Sequence, residues 1–259
     1  MEHQSAIPDD MKFRCIACLC VASFALWQPA FGQDFSDLDF NSTVLVPPEI
    51  GPSSLIEFAP AFPGWNGYIG TNVATQALSL GSYYLDSSGI GLTGFGLSNG
   101  SPGNFDGIPV YFGAMLEAGF TLSLPLMSVD TTLSQTGLIP PGTQSLLFYA
   151  DFFSELNATP NDFAVTLDGQ TLSLIPLATG FGTTQYGEYT LYGADLSGWA
   201  GQTATLAFTD FAQRPHDGNN YLFLADIQFS PSAVPEPAVF SLLPLSGLLL
   251  GVRRFVYSS

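Results

Sequence analysis

Between Gln33 and Ala233 the chain holds one histidine, His216, one arginine, Arg214, and no cysteine or lysine. That inventory removes thiol nucleophiles, Cys–His pairs, lysine Schiff bases and multi-histidine metal sites from this span. Its two basic side chains fall in one short stretch, Arg214-Pro215-His216-Asp217-Gly218-Asn219-Asn220. Planar donors and acceptors near aromatic residues suit sugar hydroxyls. Arg214, His216, Asp217, Asn219 and Asn220 are therefore a candidate glycan-binding set. The competing reading is a long hairpin loop in which Arg214 pairs with a carboxylate. Trp65 and Trp199 could stack on sugar rings, although Trp199, in a Ser-Gly-Trp-Ala-Gly turn, reads better as a plug for a core.

Carboxylates are plentiful in the same span. All but four of the twenty-two Asp and Glu residues lie there (the exceptions are Glu2, Asp9, Asp10 and Glu236), which sets eighteen against a single Arg. Such a surface repels phosphate backbones and excludes nucleic acid as a partner, while favouring divalent cations or neutral partners. Asp34, Asp37, Asp39 and Asp226 would meet around a structural Ca²⁺ if the first and last strands pair, with Asp39 and Asp226 as the candidate ligands. Asp151 and Glu155 are the nearest couple for glycoside hydrolysis, but among eighteen acids some close pair is inevitable, and solvated turn and edge residues account for it better. Gly96-Leu97-Ser98-Asn99-Gly100 matches the G-x-S-x-G string, which needs a strand-to-helix elbow. The residues that follow, Ser101-Pro102-Gly103-Asn104-Phe105-Asp106-Gly107, read instead as more loop. No catalytic residue is assigned. The expectation is a non-enzymatic protein without a cofactor, Ca²⁺ being the one candidate ion.

The elements that would position these residues are strands. Apolar residues make up 46% and aromatics 14% of the chain, far too much for disorder by composition. From Gln33 to Ser230, short apolar stretches alternate with Gly, Pro, Asn and Asp, and helical periodicity is absent. Phe163 to Leu167 and Gln170 to Ile175 alternate around Asp168-Gly169, a two-residue turn that supplies the positive φ a tight hairpin needs. Further strands are expected over Phe120 to Leu124, Ser128 to Ser134, Ser145 to Phe153, Tyr189 to Tyr192, Thr203 to Phe208 and Tyr221 to Phe229. Many strands at this spacing predict an all-β fold, one two-sheet β-sandwich over 33–230.

Both ends of the chain read as addresses. Lys12 and Arg14 precede an apolar run, Cys15 to Trp27, which contains all three cysteines. Ala30-Phe31-Gly32 then presents small residues to a signal peptidase, so 1–32 reads as a signal peptide for the Sec machinery, cut before Gln33, with Met11 an alternative start. At the other end, 231–259 holds Pro235-Glu236-Pro237, a 15-residue apolar run from Ala238 to Val252, and Arg253-Arg254. A stable span needs about 20 apolar residues, and Pro244 and Gly247 weaken this helix further. The Arg pair stops transfer on the cytoplasmic side. A short, weak helix of this kind suits transient inner-membrane anchoring.

This tail resembles the PEP-CTERM sorting signal. The resemblance rests on Val234-Pro235-Glu236-Pro237, the apolar helix and Arg253-Arg254. It implies an exosortase as partner, cutting at or near the motif, and association with exopolysaccharide and biofilm matrix at the cell surface. The trailing Phe255-Val256-Tyr257-Ser258-Ser259 departs from the family's usual basic ending. Within the domain, Ile139-Pro140-Pro141-Gly142-Thr143 before Leu146-Leu147-Phe148 carries a second likeness. So do Asp195 to Thr203 before Leu206-Ala207-Phe208, and Asn219 to Ile227. Over Gly137 to Phe229 this order looks like the galactose-binding-like jelly rolls of carbohydrate-binding modules. The last strand of that family often carries adjacent acids, whereas here Ala225 precedes a lone Asp226. The likeness implies a jelly-roll fold and, as an alternative function, a carbohydrate-binding module; a secreted glycosidase is the remaining reading.

Overall fold

The structure, a computed structural model, describes residues 33–42, 55–78, 88–93, 103–105, 108–110, 112–120, 127–155, 163–183, 188–212 and 218–234. The chain divides into two units, Met1–Gly32 and Gln33–Ser259, and every described residue belongs to the second. In chain order the elements are β1 (Leu55–Glu57), α1 (Phe58–Ala61), β2 (Asn66–Ile69), β3 (Asn72–Val73), β4 (Gln76–Leu78) and β5 (Gly89–Thr93). There follow β6 (Gly103–Phe105), β7 (Ile108–Val110), β8 (Gly113–Phe120), β9 (Ser128–Val129), β10 (Thr131–Leu138) and β11 (Ser145–Ser154). The last six are β12 (Phe163–Leu167), β13 (Gln170–Thr171), β14 (Ile175–Thr183), β15 (Glu188–Asp195), β16 (Thr203–Asp210) and β17 (Asn220–Ser230). Among the described residues no helix is long and apolar enough to cross a membrane. Residues 1–32, expected to form a signal peptide, and the tail from Pro235 onward lie outside them.

Two sheets pack face to face, as expected of an all-β sandwich. The larger runs β1-β4-β5-β8-β17-β11-β15-β14 with β9 added to β8, and the smaller runs β13-β12-β16-β10-β2-β3. In β16 the alternation is clean: Ala204, Leu206, Phe208 and Asp210 are buried while Thr203, Thr205, Ala207 and Thr209 face outward. They meet Leu133, Val165 and Leu167 of the small sheet, and Leu116, Leu146, Phe148, Leu222 and Leu224 of the large one, in one core. Each of the Leu, Val and Phe side chains removed from water contributes about 1.5–3 kcal/mol.

β17 follows a different rule. Its first six residues, Asn220 to Ala225, are all buried, because both faces of the strand are covered. Leu222 and Leu224 enter the main core. Tyr221, Phe223 and Ala225 join a second cluster with Leu78, Met115 and Tyr189 on the outer face of the large sheet. Strands buried on both sides read as near-continuous apolar runs, and so do β8 and β17. A β-bulge then re-phases β17. Tyr149 stands opposite Ala225 but Leu147 stands opposite Gln228, so Asp226 and Ile227 together face Phe148. Asp226 takes the left-handed conformation, φ 46°, which Asp tolerates better than most residues. The extra residue returns Ile227 and Phe229 to the core side.

The segment 33–42 straps the two sheets together. Leu138 N–H donates to Gln33 O, Gln135 exchanges two hydrogen bonds with the backbone of Ser36, and Ile227 N–H donates to Leu38 O. Phe40 is fully buried beneath the strap and stacks on Trp65 at 5.5 Å. The strap lies flat because Gly137 has no side chain: a Cβ there would stand 2.7 Å from the Phe35 nitrogen and ring.

Most expected strands are present, with altered limits. The strand expected at Phe120 to Leu124 instead ends at Phe120 and begins at Gly113, and residues 121–126 lie outside the described set. The Asp168-Gly169 hairpin forms, with φ 47° and 76° at the turn. Its second arm is shorter than expected, since the chain leaves for the large sheet and Ile175 opens β14. A Cβ at Gly169 meets no atom within 4 Å, so only backbone strain opposes a side chain. Gly169→Ala should therefore lower stability by about 1–2 kcal/mol, measurable by urea unfolding, with no change in the folded spectrum.

Candidate functional site

Polar side chains concentrate at one pole of the sandwich, where β8, β11 and β16 end and β10 and β17 begin. Glu117 and Asp210 are both fully buried there. Glu117 Oε1 accepts from Asn219 Nδ2 at 2.9 Å, and the Glu117 carbonyl accepts from Thr131 Oγ1 at 2.8 Å. Asp210 Oδ2 accepts from Ala118 N–H at 3.2 Å, which joins the end of β16 to β8 across the two sheets. Glu155 and Asn219 are linked twice, through Asn219 N–H to Glu155 Oε2 and Glu155 N–H to Asn219 O. Asn220 Nδ2 donates to Phe211 O at 2.6 Å.

Two members of the expected glycan-binding set, Asn219 and Asn220, are thus placed at the start of β17, 1% and 0% exposed, with their amides turned inward. Arg214, His216 and Asp217 lie outside the described residues, as do the Gly96 to Gly100 string and the expected sorting motif Pro235, Glu236, Pro237, Arg253 and Arg254. The expectation that Trp65 offers an open platform for sugar does not hold. It is 5% exposed and wedged between Phe40 and Phe208, and its Nε1–H donates to Asp37 O. Trp199 packs against the core as a plug, as its turn suggests.

The acids expected around Ca²⁺ are partly brought together. The first segment does lie beside the last strand, through the bond between Ile227 N–H and Leu38 O. Asp39 is occupied with the backbone and side chain of Asn41, and Asp226 Oδ2 accepts from Gln228. Among the described residues no group of three His, Cys, Asp or Glu side chains could hold a metal ion. Asp37, at φ 49°, accepts Ser42 N–H on Oδ1, while its Oδ2 is buried with no hydrogen-bond partner among the described residues.

Sequence reasoning passed over Glu117. Its signal was a lone carboxylate in the apolar run Gly113 to Phe120, a cost that burial tolerates only when a partner compensates. Asp151, half of the couple singled out for glycoside chemistry, is buried in β11, whereas Glu155 is exposed beyond its end. Asp151 instead bears on two phenols. Burial, and then the Asp151 charge, push the Tyr189 hydroxyl well above its usual range, and the same causes raise Tyr192. Between the β1–β4 and β2–β3 edges runs a groove of about 330 Å³, lined by residues that include Leu55, Ile69, Val73, Gln76, Ser88 and Ile90, with no titratable side chain among the described residues. Comparison of the chain with protein-family models and with curated proteins gives no match.

Two measurements test this layout. Burial raises the Asp37 carboxyl above its usual value, the Ser42 donors oppose the rise, and the Asp39 charge adds to it. A raised acid contributes stability that is complete below its unfolded value of 3.8 and is lost as pH climbs through the folded value. Asp37→Asn should gain on the parent in Tm as pH rises through that window, and equal pH profiles for the two would exclude the effect. Asn219→Ala removes a donor from a buried carboxylate, and urea unfolding should show a loss of about 2 kcal/mol.

Proposed function

We propose that the protein is exported, sorted by its tail and processed by an exosortase, and that it serves at the cell surface or in the extracellular matrix as a non-enzymatic, exopolysaccharide-associated component. The observation that carries this reading is the order of the tail: Val234-Pro235-Glu236-Pro237, then 15 apolar residues, then Arg253-Arg254. A helix that short is a poor permanent anchor, whereas it serves to hold a substrate while a membrane transpeptidase acts.

Two further features support the reading. The last described strand ends at Ser230, and the residues after it stay on the sandwich, where Ser145 Oγ donates to Ser232 O and Val234 abuts Gly193. The motif therefore follows the last described strand by four residues, Pro231 to Val234. A non-enzymatic role draws on the absence of Cys and Lys between Gln33 and Ala233. The jelly-roll likeness belongs to the same reading, since that fold hosts many roles and specifies none.

The test is the C-terminus of the mature protein, determined by intact-mass spectrometry from a host with an exosortase and from an isogenic host without one. We expect truncation at or near Pro235 in the first and retention of Ser259 in the second. A tail that still ends at Ser259 where the exosortase is present would refute the proposal.

A further inference from the structure

We propose that Gln33 is a modification site, at which the new N-terminus closes on its own side chain to give pyroglutamate. The inference rests on the export reading in one respect only: it needs the cut between Gly32 and Gln33. Until that cut, the Gln33 nitrogen is an amide and unreactive. Afterwards it is an α-amine with an ordinary pKa of about 7.7–8.0, so a minor fraction is the free nucleophile at neutral pH.

The chemistry is intramolecular and needs no co-reactant. The α-nitrogen attacks Cδ of the carboxamide, a C–N bond closes a five-membered lactam, and the bond from Cδ to Nε2 breaks. The departing nitrogen leaves as ammonia, carrying away a proton from the amine. Nothing is oxidised or reduced.

Among the described residues no hydrogen bond engages the Gln33 side chain, while the residue itself is held through its backbone. Gln33 is exposed. Among the described residues its fastening is through the carbonyl, which accepts Leu138 N–H at 2.8 Å, with Asp34 bridged to Leu138 immediately after. Ring closure consumes neither the carbonyl nor that hydrogen bond. The side chain can therefore curl back on the amine without lifting the strap from β10. Had the strap used the Gln33 side chain as it uses that of Gln135 against Ser36, closure would have dismantled it.

The electrostatic result is large for so small a change. Between Gln33 and Ala233 the only Lys or Arg is Arg214, against eighteen carboxylates. The protonated α-amine would add a titratable cation to Arg214, and lactam formation removes it. The product is more acidic, and its end is closed to aminopeptidases.

Amine-directed dimethyl labelling of the intact secreted protein, followed by digestion and mass spectrometry, reads the end directly. Labelling first separates native closure from closure during digestion. The expected N-terminal peptide begins at Gln33, carries no label and is about 17 Da lighter than the encoded peptide, the mass of one ammonia. The Gln33→Ala variant should yield the same cut with a labelled amine. A wild-type peptide that begins at Gln33 and is labelled overturns the modification while leaving export intact. A peptide that begins at any other residue overturns the cut and the modification with it.

Discussion

One extra residue in β17 decides which side chains the two sheets share. With strict alternation, Leu222 and Leu224 would be followed inward by Asp226 and Gln228, and two polar groups would enter the core. The bulge lengthens that step from two residues to three, so Ile227 and Phe229 face inward instead. Asp226 absorbs the irregularity at φ 46°. The backbone nitrogen of Ile227 then becomes the donor that receives the strap at Leu38. Core phase, strap attachment and the packing of Phe40 on Trp65 all follow from this kink. A period-2 ladder has no other means of presenting Leu224 and Ile227 to one side.

A second constraint comes from charge. With so few cations, carboxylates must be satisfied by partial charges, and the structure does this repeatedly. Asp37 takes Ser42 N–H, Asp168 takes Thr205 N–H, Asp195 takes Ser197 N–H, Asp130 takes Ala212 N–H, and Asp210 takes Ala118 N–H. Backbone donors stabilise the charged form when they are preorganised. Asp195 shows the effect, since its contacts with Ser197 hold the carboxyl below its usual value. Asp37 shows the limit, because its second oxygen finds no donor among the described residues and burial wins. The acids therefore act as caps and clips between chain segments as well as surface charge.

These two constraints explain what could be read in advance. The Asp168-Gly169 hairpin and the alternation of β16 were legible because each depends on neighbours in the chain: turn chemistry in one case, a single solvated face in the other. β8 was misplaced because it is buried on both sides and has no alternation to read. The contact between Glu117 and Asn219 spans 102 residues and follows from register alone, which no local pattern encodes. Trp65 looked like a surface platform until the strap, whose course depends on the bulge, covered it. The lone Asp226 invited a metal-ligand reading, yet its position meets a conformational need. β14 went unrecognised because Pro176, Gly180 and its repeated register shifts interrupt any regular pattern. Such irregularities blunt an edge strand against pairing with other chains.

The strap and the exit segment also fix how the domain bears mechanical load. Gln33 is fastened at Leu138, the last residue of β10, and Ser230 to Val234 leave beside Ser145 and Gly193. Leu138 and Ser145 are joined by a short turn, so both ends of the domain emerge at one pole, while Glu117, Asp210 and Asn219 occupy the opposite one. A pull between the two ends peels the strap away first, one hydrogen bond at a time. A pull between Val234 and the far pole instead runs lengthwise along β17 and shears its ladders with β8 and β11 together. The same sandwich is compliant in one direction and stiff in the other.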